Sequence, residues 1–171
     1  ELLARLRHDL GRGLTWSLTA TRTAQIWAYR EANRAAFVAN ADILDGWVWQ
    51  AALDPRTCLS CIAQHGRVHP LHEVLQDHHA GRCTMLPLPK RPADIGLPSS
   101  LVLPDLRSQI ETGEDWFASL PPAQQQALMG PSRYAAYQAR EFRFEDLSKG
   151  YTDPIYGDML REASLKDLLG E

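Results

Sequence analysis

Apolar residues in the first forty positions recur with a helical period. Leu2, Leu3, Leu6 and Leu10 fall on one side of a helix over residues 1–10, and Gly11 and Gly13 are expected to interrupt it. From Thr15 to Asn40 the pattern resumes. Leu18, Ile26, Tyr29, Ala36 and Phe37 recur at near-helical spacing, with no Pro or Gly between. Arg22, Arg30 and Arg34 share a face of that helix, which reads as a solvated stripe. The period then drops to two over residues 46–53. Trp47 and Trp49 project to the same side of this predicted strand and offer a large apolar area to a core. Asp54-Pro55 is a turn, Thr57–Gln64 a short helix closed by Gly66, and residues 68–75 a loop-rich return. Thr84–Leu88 is a second strand, predicted to pair with the tryptophan strand.

Prolines at 87, 89, 92, 98 and 104 mark an extended connector. Beyond it, Thr112 caps a helix through Leu120, with Asp115 at its third position. Pro121-Pro122 open a helix over Ala123–Met129 that stops at Gly130. Ser132–Arg140 is a third, with Tyr134 and Tyr137 on one face. Phe142–Phe144 is extended, and Asp158–Leu169 is a last amphipathic helix. This organisation divides the chain into a core over 1–90, a connector over 91–104 and a helical extension over 105–171.

Composition narrows the class. The chain has 171 residues, 44% apolar and 23% charged, which suits a soluble globular protein with one core and an appendage. It has no apolar run of membrane-spanning length and no signal peptide. It opens on Glu1 rather than Met, so a preceding segment is expected. The net charge of -3 argues against a strongly basic nucleic-acid binder. Residues 1–91 carry +3 and residues 92–171 carry -6, which leaves room for a modest DNA-facing patch in the front half only.

The chemistry is concentrated in one stretch. Cys58, Cys61 and Cys83 are all the cysteines, and His65, His69, His72, His78 and His79 are five of the six histidines. Cys-x-x-Cys places two thiols about one turn apart, and a second pair some 15–20 residues later can close a tetrahedral site. The expected ligands are Cys58, Cys61, one of His78 and His79, and Cys83. Zinc suits thiolate and imidazole together, and four protein ligands make the site structural rather than catalytic. Two other readings of the cysteines stand beside this one: three buried reduced thiols, or a Cys58–Cys61 disulfide with Cys83 free. Gly66 and Pro70 break any helix that would align His65 with His69, so His65, His69 and His72 read as solvated loop histidines.

The same stretch resembles the Mu F-like minor head (head-morphogenesis) proteins of tailed phages. The resemblance rests on Arg22-Thr-Ala24, Trp47-Val-Trp49, Asp54-Pro-Arg-Thr-Cys58-Leu-Ser-Cys61, Gly66 and His78-His-Ala-Gly-Arg-Cys83-Thr-Met-Leu-Pro87. Order and spacing agree over roughly residues 20–90. Residues 113–120 and 130–134 are similar to the tail of some members. Ala24 stands where the family often has glutamate, and Gly81 where it has a cysteine. The resemblance favours His78 over His79. It implies an α+β fold, mainly helical, with a long N-terminal helix, a small sheet and a zinc-clipped insert. It also implies a non-enzymatic role in the virion, at the portal vertex or inner head surface. Such a protein is present in several copies per particle, partners the portal and other head proteins, and supports head assembly and DNA packaging or delivery.

No catalytic constellation stands out. The chain lacks a phosphate-cradling Gly-rich loop, Gly-x-Ser-x-Gly and His-Glu-x-x-His. It also lacks the His-x-Glu of the zinc deaminases. A metal-dependent nuclease using His65, His69 or His72 with Asp54 or Asp77 is the enzymatic alternative. A zinc-binding adaptor and a toxin-delivery module sharing the motif are the other two.

Overall fold

The computed structural model describes residues 2–98 and 106–170. Connector residues 99–105, Pro104 among them, and the expected packing of Leu2 and Leu6 lie outside the described residues. The fold is α+β, with a long N-terminal helix and small antiparallel sheets. No described helix is long and apolar enough to cross a membrane.

Helix α1 runs unbroken over Leu2–Ala39, so Gly11 and Gly13 do not interrupt it. A helical glycine costs about 1 kcal/mol relative to alanine, which is a penalty and not a stop. The following hydroxyls bond backward onto the same backbone: Thr15 donates to the Gly11 carbonyl at 2.9 Å and Ser17 to the Gly13 carbonyl at 2.8 Å. Thr19, Thr21 and Thr23 continue the series. The stop comes at Asn40, whose side-chain amide donates to the Ala36 carbonyl at 2.8 Å. Residues 10–18 are exposed throughout, and the described hydrogen bonds of α1 to the body run from Ala20 onward, where the Ala20 carbonyl accepts the Tyr156 hydroxyl at 3.4 Å.

Strand β1 (Leu44–Gln50) is the centre of a three-stranded antiparallel sheet, flanked by β2 (Val68–His69) and β3 (Thr84–Pro89). Trp47 faces Pro87 and Trp49 faces Met85 across the ladder. Both indoles are fully buried, as the period of two predicts. They form one core cluster with Ala51, Leu75, Met85, Cys61 and Cys83.

Between β1 and β2 lies α2 (Leu59–Gln64), all six residues of which are buried. Cys61 joins the tryptophan cluster, while Leu59, Ile62 and Ala63 join a second one with Phe117, Met129, Ala136, Phe142, Phe144 and Leu147. That second cluster is built by α3 (Gly113–Ser119), α4 (Pro122–Met129) and α5 (Pro131–Gln138). Thr112 and Asp115 form the expected capping box at the start of α3.

Two expectations for the C-terminal part are corrected. Phe142–Phe144 is not an extended piece: Phe144 opens a 3-10 turn over Phe144–Leu147, which turns Phe144 and Leu147 into the core. Residues 158–169 are not one helix. They complete a hairpin of β4 (Ser148–Asp153) and β5 (Gly157–Glu162), followed by the short α6 (Leu165–Leu169). The Asp153 carboxylate accepts the Ile155 and Tyr156 amides, and Gly157 takes φ 75°, so the chain reverses there. The helix starts only at Ser164, where Ser164 and Asp167 form a capping box.

Helix α2 meets α3 at close range. The Gly113 amide donates to the His65 carbonyl at 3.0 Å, and a Cβ on Gly113 would lie 1.7 Å from the Ile62 carbonyl oxygen. Gly113→Ala is therefore expected to destabilise the protein by about 1–3 kcal/mol in urea unfolding. Gly150→Ala, with open space around its Cβ, should stay within about 0.5 kcal/mol of the parent. Equal stability of the two variants would contradict this packing.

Candidate metal centre

Cys58 enters the site as the N-cap of α2, its Sγ accepting the Cys61 amide at 3.4 Å. A preceding turn presents it: the Asp54 carboxylate accepts the Arg56 amide at 2.9 Å and the Thr57 hydroxyl at 3.1 Å. Arg82 grips the same carboxylate with two bonds of 2.7 Å, which joins the Cys58 turn to the Cys83 segment. That guanidinium holds Asp54 well below the usual carboxylate range. Cys61 follows one turn later and is buried, and Cys83 is buried at the start of β3.

His78 supplies the ring nitrogen. Its Nε2 lies 3.2 Å from Cys58 Sγ and 3.4 Å from Cys61 Sγ. Its Nδ1 lies 3.0 Å from the His79 carbonyl oxygen, which can only accept. The Nδ1 proton is thus committed to the backbone and Nε2 is left facing the thiols, the arrangement found at metal-binding histidines. His79 is engaged elsewhere: its Nε2 is 3.1 Å from Asp153 and its ring meets Tyr156 edge-on.

The potential ligands form two overlapping triads, Cys58–Cys61–His78 and Cys61–Asp77–Cys83, each with ligand atoms within 4.8 Å of one another. Bond lengths of about 2.3 Å to sulfur and 2.0–2.1 Å to nitrogen put the donors of a tetrahedral zinc site about 3.5 Å apart. The distances from His78 to the two thiols match that spacing. All three cysteines are free thiols in this structure, with no disulfide joining Cys58 to Cys61. The cluster can bind a metal ion.

Its electrostatics point the same way. Cys58 is drawn down to about 5, first by the hydrogen bond from Cys61 and then, against burial, by His78. His78 is pushed up to about 9, chiefly by Cys58. Cys61 is pushed far upward by Cys58 and Cys83 first, with burial and the Asp77 charge adding to the effect. Crowded thiols keep one another protonated, and a dication relieves that crowding.

From the sequence, Asp77 is named only for the nuclease alternative and Arg30 only as part of a solvated stripe, and neither is assigned to this centre. Asp77 is 3% exposed. Its Oδ1 accepts the His78 amide at 2.7 Å and the Cys61 thiol at 3.3 Å, while Oδ2 takes the Arg30 guanidinium at 2.8 Å. Arg30 is buried, so the expected solvated stripe of Arg22, Arg30 and Arg34 fails at its middle member. A cysteine at position 81 would collide with this carboxylate, since a Cβ on Gly81 would lie 2.0 Å from Asp77 Oδ2. A buried Asp–Arg pair separated by 47 residues leaves no periodic trace in a sequence.

His65, His69 and His72 do not join the site. His65 is buried, not solvated as expected: its Nδ1 accepts the Ala51 amide at 3.0 Å, and burial lowers its pKa. His69 is half-buried and stacks on Trp47 at 4.2 Å, with Glu73 3.1 Å from its Nδ1. His72 is exposed. Comparison with protein-family models, curated proteins and solved structures gives no match for the chain.

At pH 7 the metal-free centre carries protons on His78 and Cys61 that ligation must displace. Calorimetric titration with Zn(II), repeated in buffers of different ionisation enthalpy, should show release of at least those two protons. Apparent affinity should rise as pH climbs from 7 toward 9. Proton-neutral, pH-independent binding would rule out this ligand set.

Proposed function

We propose that the chain is a non-enzymatic, zinc-clipped structural protein of a tailed-phage head, of the Mu F-like minor head type. The observation that carries this reading is the convergence of Cys58, Cys61 and His78, with Cys83 buried beside them, at the spacing on which the resemblance rests. The donor set is thiolate-rich with one imidazole, which selects zinc over the hard, oxygen-loving cations. Four protein donors fill a tetrahedral shell, so the ion acts as a clip and not as a Lewis acid. The clip closes a segment, residues 70–83, that contains no helix or strand of its own.

The exposed stretch of α1 over residues 10–18 is the proposed docking surface for the portal or a neighbouring head protein. Leu10, Leu14, Trp16 and Leu18 are each at least half exposed there. Helices in proteins draw most of their stability from packing, and this stretch carries two glycines and a run of hydroxyl residues that lower its own propensity. A partner that covers the leucines supports the helix. This reading places the protein in the virion, at the portal vertex or inner head surface.

Two measurements test it. Metal analysis of untagged protein should find about one zinc per chain, lost with thermal stability in Cys58→Ser/Cys61→Ser. The protein should also be present in purified particles and co-purify with a portal, and Leu10→Asp/Leu14→Asp should abolish that association while leaving zinc content intact. Absence from particles would sink the phage reading, and absence of metal would sink the clip.

A further inference from the structure

The described residues of α1 that are buried are Thr23 and Arg30, one turn pair apart and both polar. A helix usually docks through an apolar stripe. This one leaves Trp27 and Tyr29 more than half exposed and turns an arginine inward. The bonds these two side chains make outside α1 land on one short segment. Arg30 Nε and Nη2 donate to the Cys83 carbonyl at 3.0 and 2.6 Å, and Nη2 also reaches the Gly81 carbonyl at 3.3 Å. Nη2 further pairs with Asp77 at 2.8 Å. The Thr23 hydroxyl accepts the Ala80 amide at 2.9 Å.

That segment is the one that closes the metal centre. Asp77 passes the grip of Arg30 on to Cys61 and to the His78 amide. The carbonyl of Cys83 is held by the same guanidinium. Three of the four donors are therefore oriented, at one remove, by a single residue of α1. The donor whose support is separate is Cys58, which the Asp54–Arg82 turn presents.

We infer that Arg30 and Asp77 are positioning residues of the metal centre, so that metal binding and the docking of α1 on the 77–83 segment are one linked equilibrium. The inference rests on the metal reading given above. Its physical basis is reciprocity. If α1 docking raises metal affinity by some factor, metal binding strengthens docking by the same factor. Buried polar contacts suit such a link, because each is favourable only while its partner is in place. Lysine cannot replace Arg30, since the fork contacts two carbonyls and a carboxylate at once. The consequence for the proposed docking helix is direct: its orientation on the body is set by whether the ion is bound.

Co(II) titration tests this, because thiolate-to-cobalt absorption reports the ligand set and the titration reports affinity. The samples are the parent, Arg30→Lys, the charge-neutral pair Arg30→Gln/Asp77→Asn, and His72→Ala as an exposed control. The parent and His72→Ala should bind alike. Arg30→Lys and the neutral pair should bind with unchanged band positions and affinity lowered about 10- to 100-fold, the usual effect of losing an outer-shell partner. Hydrogen exchange on the unmutated protein covers any failure of a variant to fold. Chelation should speed exchange at residues 20–34 of α1 and leave α3–α5 unchanged.

Parent-like affinity in both Arg30 variants, or α1 exchange indifferent to chelation, would overturn the linkage while the metal reading stands. Shifted bands in the neutral pair would make Asp77 a direct ligand and overturn its positioning role. A parent that binds no Co(II) would overturn the metal reading and the linkage together.

Discussion

A six-residue helix with no exposed residue holds the molecule together. Helices this short do not persist alone in water, because nucleation costs more than so few backbone bonds return. The stability of α2 is therefore entirely borrowed. At its N-terminus, Cys58 Sγ accepts the Cys61 amide, and Glu162, from 103 residues away, accepts the Leu59 amide at 2.9 Å. At its C-terminus the His65 amide reaches back to the Cys61 and Ile62 carbonyls, and Gly113 closes over the His65 carbonyl. The side chains of α2 enter two different clusters. Both depend on a helix that neither could support alone.

The two clusters are different in kind. The one around Phe117, Met129, Phe144 and Leu147 contains only apolar side chains, and area burial suffices to hold it. The one around Trp47 and Trp49 includes Cys61 and Cys83, whose thiols face each other and a carboxylate. Burial alone does not favour that arrangement, because crowded sulfur and oxygen donors repel once any of them ionises. A cation bound among them would turn that cost into a bond. The apolar cluster needs no ligand to hold it, whereas the tryptophan cluster would gain by one.

Legibility in the sequence followed the range of the interaction. That Cys58, Cys61, Cys83 and one of His78 and His79 lie together was readable because motif spacing encodes a local geometry, while spacing alone left the two histidines undecided. The Thr112–Asp115 box, the Pro121-Pro122 start and the Gly130 stop were readable because each acts within four residues. The tryptophan strand was readable from its period of two. Arg30 and Asp77 were not, because each is charged, and charge in a helix or a loop reads as solvent-facing until its partner is known. His65 was misjudged for the same reason: a buried imidazole whose Nδ1 serves the Ala51 amide looks in sequence like any loop histidine. The strand residues 158–162 read as the start of a helix because Met159 and Leu160 fit both periods. Ser164 and Asp167 held the correcting signal.

Asp77 does more at this centre than a further thiol could. Its carboxylate fills the space that a side chain at position 81 would need. One oxygen faces the Cys61 thiol and the His78 amide, and the other takes the guanidinium of Arg30. The helix that projects from the body is thereby anchored at the candidate metal centre. The weak apolar packing of α1 is then no defect, because its attachment lies in charge-assisted hydrogen bonds to the segment that carries His78 and Cys83.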